Sequence, residues 1–144
     1  MPSVLVLNGP NLDRLGSREP DIYGTGSLDD LRAALGAVSD SAIHVRQSNS
    51  EAELIGWLHE AVDTRTPVIL NPAAFTHYSY ALRDAAALVT TAGITLIEVH
   101  LTNPHAREEF RHTSVISAVA TGVIAGFGFE SYLVALDVIR RRSA

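Results

Sequence analysis

The stretch Ser3-Val4-Leu5-Val6-Leu7-Asn8, running straight into Gly9-Pro10-Asn11, decides the fold. Its apolar residues are continuous rather than alternating, the pattern of a strand buried on both faces. A strand of that kind needs a layer of cover on each side, and the rest of the chain supplies it. Residues 67–70 and 94–99 are further apolar runs, Ala42–Gln47 alternates weakly, and residues 122–128 form a short run flanked by glycine; these read as four more strands.

Helical spacing fills the gaps between them. Ser27 caps a helix in which Leu28, Leu31, Leu35 and Val38 recur on one face. Ser50-Glu51-Ala52-Glu53 reads as a capping box opening a helix through Leu54, Leu58, Ala61 and Val62. A third helix runs from Tyr78 to about Val89, with Ala81, Leu82, Ala85 and Leu88 facing inward, and Tyr132, Leu136 and Ile139 mark a closing helix. Five strands alternating with helices make an α/β protein with a parallel sheet covered on both faces. Right-handed crossovers turn that sheet into a flavodoxin-like, doubly wound sandwich. No repeat or linker interrupts the pattern, so residues 1–144 read as a single catalytic domain.

Composition narrows the chemistry. The chain is 47% hydrophobic and 19% charged, an ordinary globular balance. No apolar run approaches the roughly 18 residues needed to span a bilayer. Residues 3–7 are too short for a signal-peptide core and lack a basic lead-in, so a cytoplasmic protein without a membrane partner is expected. The formal charge is −5, and the basic run Arg140-Arg141-Arg142 suits the last turn of a helix, so no nucleic-acid partner is expected. All eleven basic residues are arginine, and there is neither lysine nor cysteine. A Schiff-base mechanism, a thiolate nucleophile, a lysine-bearing phosphate loop and any disulfide are therefore excluded.

Doubly wound sheets bind ligands beyond the carboxyl ends of their strands. After the first strand, residues 9–26 form a long irregular loop carrying Asn11, Arg18 and Tyr23; a loop of that length is often a lid. Asn71-Pro72-Ala73-Ala74-Phe75-Thr76-His77 follows the third strand, and Glu98, His100, Leu101, Thr102 and Asn103 stand at the end of the fourth. Each has an ordinary reading of its own. Tyr23 could pack on the core, Arg18 could pair with Glu19, His77 could cap a helix, and Asp84 could form a solvated pair with Arg83. Glu98 and His100 with His105 could imitate a metal site, although no third ligand stands at a familiar spacing. His44, His59, His105 and His112 read as structural or solvent-facing. The glycines at 24, 26, 122, 126 and 128 read as turn residues, with neither a dinucleotide fingerprint nor a G-x-S-x-G elbow present.

Taken together, these segments resemble a known family. Asn8-Gly9-Pro10-Asn11-Leu12 with Leu15-Gly16, Arg18, Pro20 and Tyr23-Gly24 is similar to the first signature of the type II 3-dehydroquinate dehydratases. Asn71-Pro72 with Thr76-His77, Ser79, Ala81 and Arg83-Asp84-Ala85 resembles the second. Glu98-Val99-His100-Leu101-Thr102-Asn103 with Arg107-Glu108-Glu109-Phe110-Arg111 resembles the third. The likeness implies dehydration of 3-dehydroquinate to 3-dehydroshikimate, in aromatic biosynthesis or quinate breakdown, without metal or cofactor. It implies Tyr23 as general base, Arg18 lowering its pKa, Asn11 holding the enolate oxygen through a water, His100 as acid for the leaving hydroxyl and Glu98 orienting His100. Asn71, His77, Leu101, Thr102 and Arg111 would bind substrate. Asp84 would reach an adjacent subunit's site, in a homododecamer. Three positions depart from the family pattern: Ala73 and Ser131 stand where glycine is expected, and Thr102 where serine is common.

The chemistry needs such a set. Removing water from a hydroxyl two carbons from a ketone takes a base at the carbon between, a stabiliser for the enolate and an acid for the hydroxyl. Bringing a tyrosine from a pKa of about 10 to near 7 requires roughly 4 kcal/mol of phenolate stabilisation. A guanidinium in a water-poor pocket supplies much of that. Glu98 and His100, two apart on a strand, share a face, and a carboxylate on one imidazole nitrogen selects the nitrogen offered to substrate. A rival reading keeps the fold and makes the chain a binding module for a flavin or nucleotide.

Overall fold

The computed structural model describes residues 3–17, 19–23 and 26–143, with Pro20 and Tyr23 described by backbone alone. Among the described residues there are five strands: β1 (Ser3–Asn8), β2 (Ala42–Gln47), β3 (Val68–Asn71), β4 (Leu96–His100) and β5 (Gly122–Ala125). The helices are α1 (Pro20–Tyr23), α2 (Leu28–Val38), α3 (Glu51–Thr64), α4 (Tyr80–Thr91) and α5 (Glu130–Ser143). All strands are parallel in the order β2-β1-β3-β4-β5, the flavodoxin-like arrangement expected. The order reverses between β1 and β3, where Asn8 pairs with Asn71 at the carboxyl edge. A doubly wound sheet opens its crevice at that point.

The unbroken apolar run of β1 is explained by two cores. Val4 and Val6 enter one cluster with Leu31 and Leu35 of α2 and Tyr132, Leu136 and Ile139 of α5. Leu5 and Leu7 enter the other with Leu54 and Leu58 of α3 and Leu82 and Val89 of α4. Side chains alternate across a strand, so a strand serving two cores must be apolar at every position.

Several boundaries differ from the sequence expectation. β3 and β4 each begin after their expected starts and continue to Asn71 and His100, so Asn71 is a strand terminus rather than a loop residue and His100 stands on the strand with Glu98. Ile94 is buried beyond the α4 terminus, after Gly93 at φ 81°, and is not in a strand. β5 ends at Ala125. Tyr78 lies outside α4, which Ser79 caps by accepting from the Leu82 N–H. The buried face of α4 is Leu82, Ala85, Ala86 and Val89, leaving Ala81 and Leu88 exposed, because this stripe meets α3 and the sheet. Val38 is exposed at the end of α2. Ser27 forms a full capping box with Asp30, whereas at Ser50 only half of the motif is made: its hydroxyl accepts from the Glu53 N–H, but its own N–H goes to Ser48 Oγ. The expected irregular loop contains a 3-10 turn at Leu12–Arg14 and the short helix α1.

Candidate active site

The chemistry-bearing residues stand on the carboxyl ends of β1, β3 and β4 and on the turns that follow. Gly9 continues β1 into a close crossing, its N–H donating to Asn71 O at 2.8 Å. A Cβ at Gly9 would lie 2.5 Å from Pro72 O, so only glycine lets the two strand ends approach this closely. Asn11 follows with φ 69°, a left-handed conformation that asparagine tolerates. Its N–H donates to Asn49 Oδ1 at 2.9 Å, and Gln47 Nε2 donates to Gly9 O at 3.1 Å, so the end of β2 braces the start of the loop. Arg18 lies outside the described residues, as does the side chain of Tyr23, whose backbone ends α1.

Beneath this loop, β1 and β3 are tied by a neutral network. The Tyr132 hydroxyl of α5 donates to Asn8 Oδ1 at 2.6 Å and accepts from Asn71 Nδ2 at 2.8 Å. Asn8 Nδ2 donates onward to Arg46 O at 3.0 Å, and Asn71 Oδ1 accepts from the Ala73 N–H at 3.1 Å. Burial drives the Tyr132 pKa up, against the opposing hydrogen bond from Asn71, so this phenol stays protonated. Ala73, which departs from the family pattern, has φ 52°. The expected glycine belongs there for a backbone reason: a side chain in the left-handed region costs roughly 1–2 kcal/mol.

The second network is charged. Glu98 is fully buried in β4, and its Oε2 accepts from His100 Nε2 in a short contact and from Thr76 Oγ1 at 2.9 Å. Ser117 Oγ donates to its Oε1 at 2.6 Å and Ser114 Oγ to its Oε2 at 3.1 Å. Burial pushes the Glu98 carboxyl up, but the bond and charge of His100, with the Ser117 and Thr76 hydroxyls, outweigh it and hold the pKa below the usual carboxylate range. Thr76 ends the turn after β3, and Ser114 and Ser117 lie on the segment between the 3-10 turn Glu109–His112 and β5. Sequence reasoning missed Thr76, Ser114 and Ser117, and also Tyr132, Gln47 and Asn49.

A cleft opens beside these networks, lined by Leu12, Asn71, His77, His100, Thr102 and Arg111 among others. His77 Nδ1 pairs with Thr113 O at 2.7 Å. Burial lowers its pKa, the Thr113 carbonyl opposes this, and the nearby His100 and Arg111 lower it further, so His77 favours the neutral form. Arg111 Nε donates to Glu108 at 2.6 Å, and its guanidinium lies 4.6 Å from the Phe110 ring centre. Thr102 Oγ1 accepts from Arg107 Nη1 at 3.3 Å, and Leu101 is buried with its carbonyl accepting from the Gly128 N–H at 2.9 Å. Asn71, His77, His100, Leu101, Thr102 and Arg111 therefore share one cleft. Asp84 does not line it; exposed on α4, it pairs with Arg83 at 2.9 Å. His105 and His112, read from sequence as structural or solvent-facing, are exposed and stand ring to ring 5.6 Å apart, lining a pocket that also includes Glu98.

Known proteins share this sequence and architecture. The family described as Dehydroquinase class II matches residues 2–140. The 3-dehydroquinate dehydratase of Bacillus licheniformis is 55% identical over 140 residues, covering 95% of this chain and 94% of its own. The crystal structure of type II dehydroquinase from Propionibacterium acnes superposes with a TM-score of 0.91 at 51% identity, over 96% of both chains. That from Butyrivibrio crossotus gives 0.91 at 41% identity, over 96% of this chain and 97% of its own. With the family match spanning residues 2–140 and both structures superposing over 96% of its length, this chain belongs to the class II dehydroquinases.

Proposed function

We propose that the protein dehydrates 3-dehydroquinate to 3-dehydroshikimate through an enolate. The observation that carries this reading is the buried Glu98 carboxylate hydrogen-bonded to His100 at the mouth of the cleft, in a chain whose relatives carry the name 3-dehydroquinate dehydratase. Tyr23, as phenolate, takes a proton from the carbon beside the ketone. The electron pair moves onto the carbonyl oxygen, and Asn11 stabilises that enolate oxygen through a water. The enolate then collapses, expelling the hydroxyl from the next carbon, and His100 protonates it so that it leaves as water.

Tyr132 supports the need for a cation: a phenol buried among neutral groups is driven away from ionisation. A tyrosine base must therefore sit beside a positive charge, and Arg18, close by on the same loop, has that role. Glu98 accepts from one nitrogen of His100 and leaves the other for substrate. Asn71, His77, Thr102 and Arg111 bind the hydroxyls and carboxylate, together with the backbone at Leu101. Asp84 acts from a neighbouring copy within a homododecamer, which agrees with its position away from its own cleft. The enzyme works in the cytoplasm, in aromatic biosynthesis or quinate breakdown, and no described helix is long and apolar enough to cross a membrane.

Purified protein given 3-dehydroquinate should produce rising ultraviolet absorbance as the conjugated enone forms, and borohydride with substrate should not inactivate a chain without lysine. Tyr23→Phe should nearly abolish turnover with the fold intact. A fully active Tyr23→Phe enzyme removes the assigned base, and a wild-type protein without enone formation removes the function.

A further inference from the structure

The Glu98 carboxylate receives more donors than an orienting group requires. Orienting an imidazole takes one lone pair, yet the hydroxyls of Thr76, Ser114 and Ser117 also gather around it, with Thr76 and Ser114 2.6 Å apart so that one of those two donates to the other. They come from two segments, the turn after β3 and the segment before β5, which are also joined by the Val115 N–H donating to Thr76 O at 2.7 Å. A fully buried carboxylate is costly unless its lone pairs are satisfied, and for stability alone an apolar residue would serve as well. A charge kept under these conditions is kept for its neighbour.

The three hydroxyls are not equivalent. Ser114 Oγ also accepts from the Ile116 and Ser117 N–H groups at 3.1 Å, so it holds its own segment in shape. Thr76 donates to Oε2, the oxygen that also receives His100. Ser117 is the near donor to Oε1, at 2.6 Å, where the alternative is Ser114 at 3.3 Å. Ser117 thus satisfies Oε1, the oxygen that His100 does not contact, while Oε2 takes His100 with Thr76 and Ser114 beside it.

We propose that Ser117 is a positioning residue for the dehydration, holding Glu98 ionised and rotationally fixed so that His100 keeps one nitrogen on Glu98 and presents the other to the leaving hydroxyl. This inference rests on the functional reading above and adds to it a residue that never touches substrate. Loss of a donor to the charged form of a carboxylate raises its pKa. Without Ser117 the pair loses its ionised carboxylate at a higher pH, and the acid limb of the kcat profile moves upward. The other groups facing the pair are His77 from the turn after β3, Arg111 and His112 from the Glu109–His112 turn, and His105 from the Pro104–Ala106 turn. Among the described residues, none of them hydrogen-bonds to Ser117.

The test compares wild type, Ser117→Ala and Ser117→Thr in the full-length protein, with turnover of 3-dehydroquinate measured across pH and folding checked by circular dichroism. The Glu98 carboxyl is followed in parallel by carbon NMR without substrate. Ser117→Ala should lower kcat about tenfold, the scale of one hydrogen bond to a charged group. KM should stay within about twofold, and the acid limb and the Glu98 titration should rise together. Ser117→Thr, which keeps the hydroxyl, should restore both. If Ser117→Ala does not fold, Ser117→Cys keeps the volume with a weaker donor and is read by the same two measurements. A folded Ala or Cys variant with wild-type kcat, acid limb and Glu98 titration overturns the proposal. A wild-type protein inert toward 3-dehydroquinate overturns the functional reading instead, and the substrate-free titration still decides what Ser117 does to Glu98.

Discussion

Two buried polar networks lie side by side at the carboxyl edge of the sheet, and they are built on opposite principles. Asn8, Tyr132 and Asn71 are neutral, almost wholly enclosed, and linked by side-chain bonds of 2.6 and 2.8 Å. Glu98, Thr76, Ser114 and Ser117 surround a charge, and His100 carries that charge out to the cleft wall. The neutral network joins β1 to β3 at the switch point and fixes where the two loops begin. The charged one holds an ion that stability alone would not select. The neutral network serves geometry, while the charged one backs the proton transfer proposed for His100.

The comparison can be broken in four places. Glu98→Gln should have the largest effect: it removes the charge and sets an amide donor among hydroxyl donors, and kcat should fall roughly a hundredfold, within the range of acid–base contributions. Near-normal kcat would make the charged network as structural as the neutral one. Tyr132→Phe should act instead on stability, by about 2 kcal/mol in urea unfolding at fixed protein concentration, because Asn8 Oδ1 and Asn71 Nδ2 lose their shared partner. An unchanged midpoint would show that the network contributes nothing to the joint between β1 and β3.

Acid should then separate the contributions of two groups. The Glu98 pKa is lowered from its ordinary 4.5, so its stabilisation is complete above that value and is lost as pH falls through the lower folded value. The His77 pKa is lowered from its ordinary 6.5, so the unfolded chain takes up a proton first and stability declines as pH drops below 6.5. His77→Gln should flatten the stability curve just below 6.5, and Glu98→Gln should flatten it below 4.5. Identical curves for all three proteins would contradict both shifts. The smallest effect belongs to Ala73→Gly. Relief of the left-handed strain at φ 52° is partly offset by the greater freedom of glycine when unfolded, for a net gain of up to about 1 kcal/mol in the same urea assay. A loss of stability would mean that the turn after β3 prefers the methyl group.

Much of the fold was legible because its signals are local. The bounds of β1 and β2 agree with the apolar run and the weak alternation that suggested them, and Ser27 caps α2 as expected. The inward stripe of α4 was misjudged, since Ala81, Ala85 and Leu88 make as regular a helical stripe as Leu82, Ala85, Ala86 and Val89. Only the neighbours of a helix choose between two such stripes. The Glu98–His100 contact was readable for the opposite reason: a strand has a period of two, and two residues on one face need no tertiary information to meet.

The sequence by itself determined that the sheet is buried on both faces, that lysine, thiol and disulfide chemistry are absent, and that Glu98 and His100 share a side of one strand. Tertiary structure alone decided the rest of the charged cage, because Thr76, Ser114 and Ser117 stand 22, 16 and 19 residues from Glu98. It likewise decided the neutral joint, where Tyr132 reaches Asn8 across 124 residues. Serines and threonines in loops and a tyrosine on an amphipathic helix carry no mark of such partners. Their hydrogen bonds exist only once two cores close on opposite faces of the sheet and bring the loop ends to one edge.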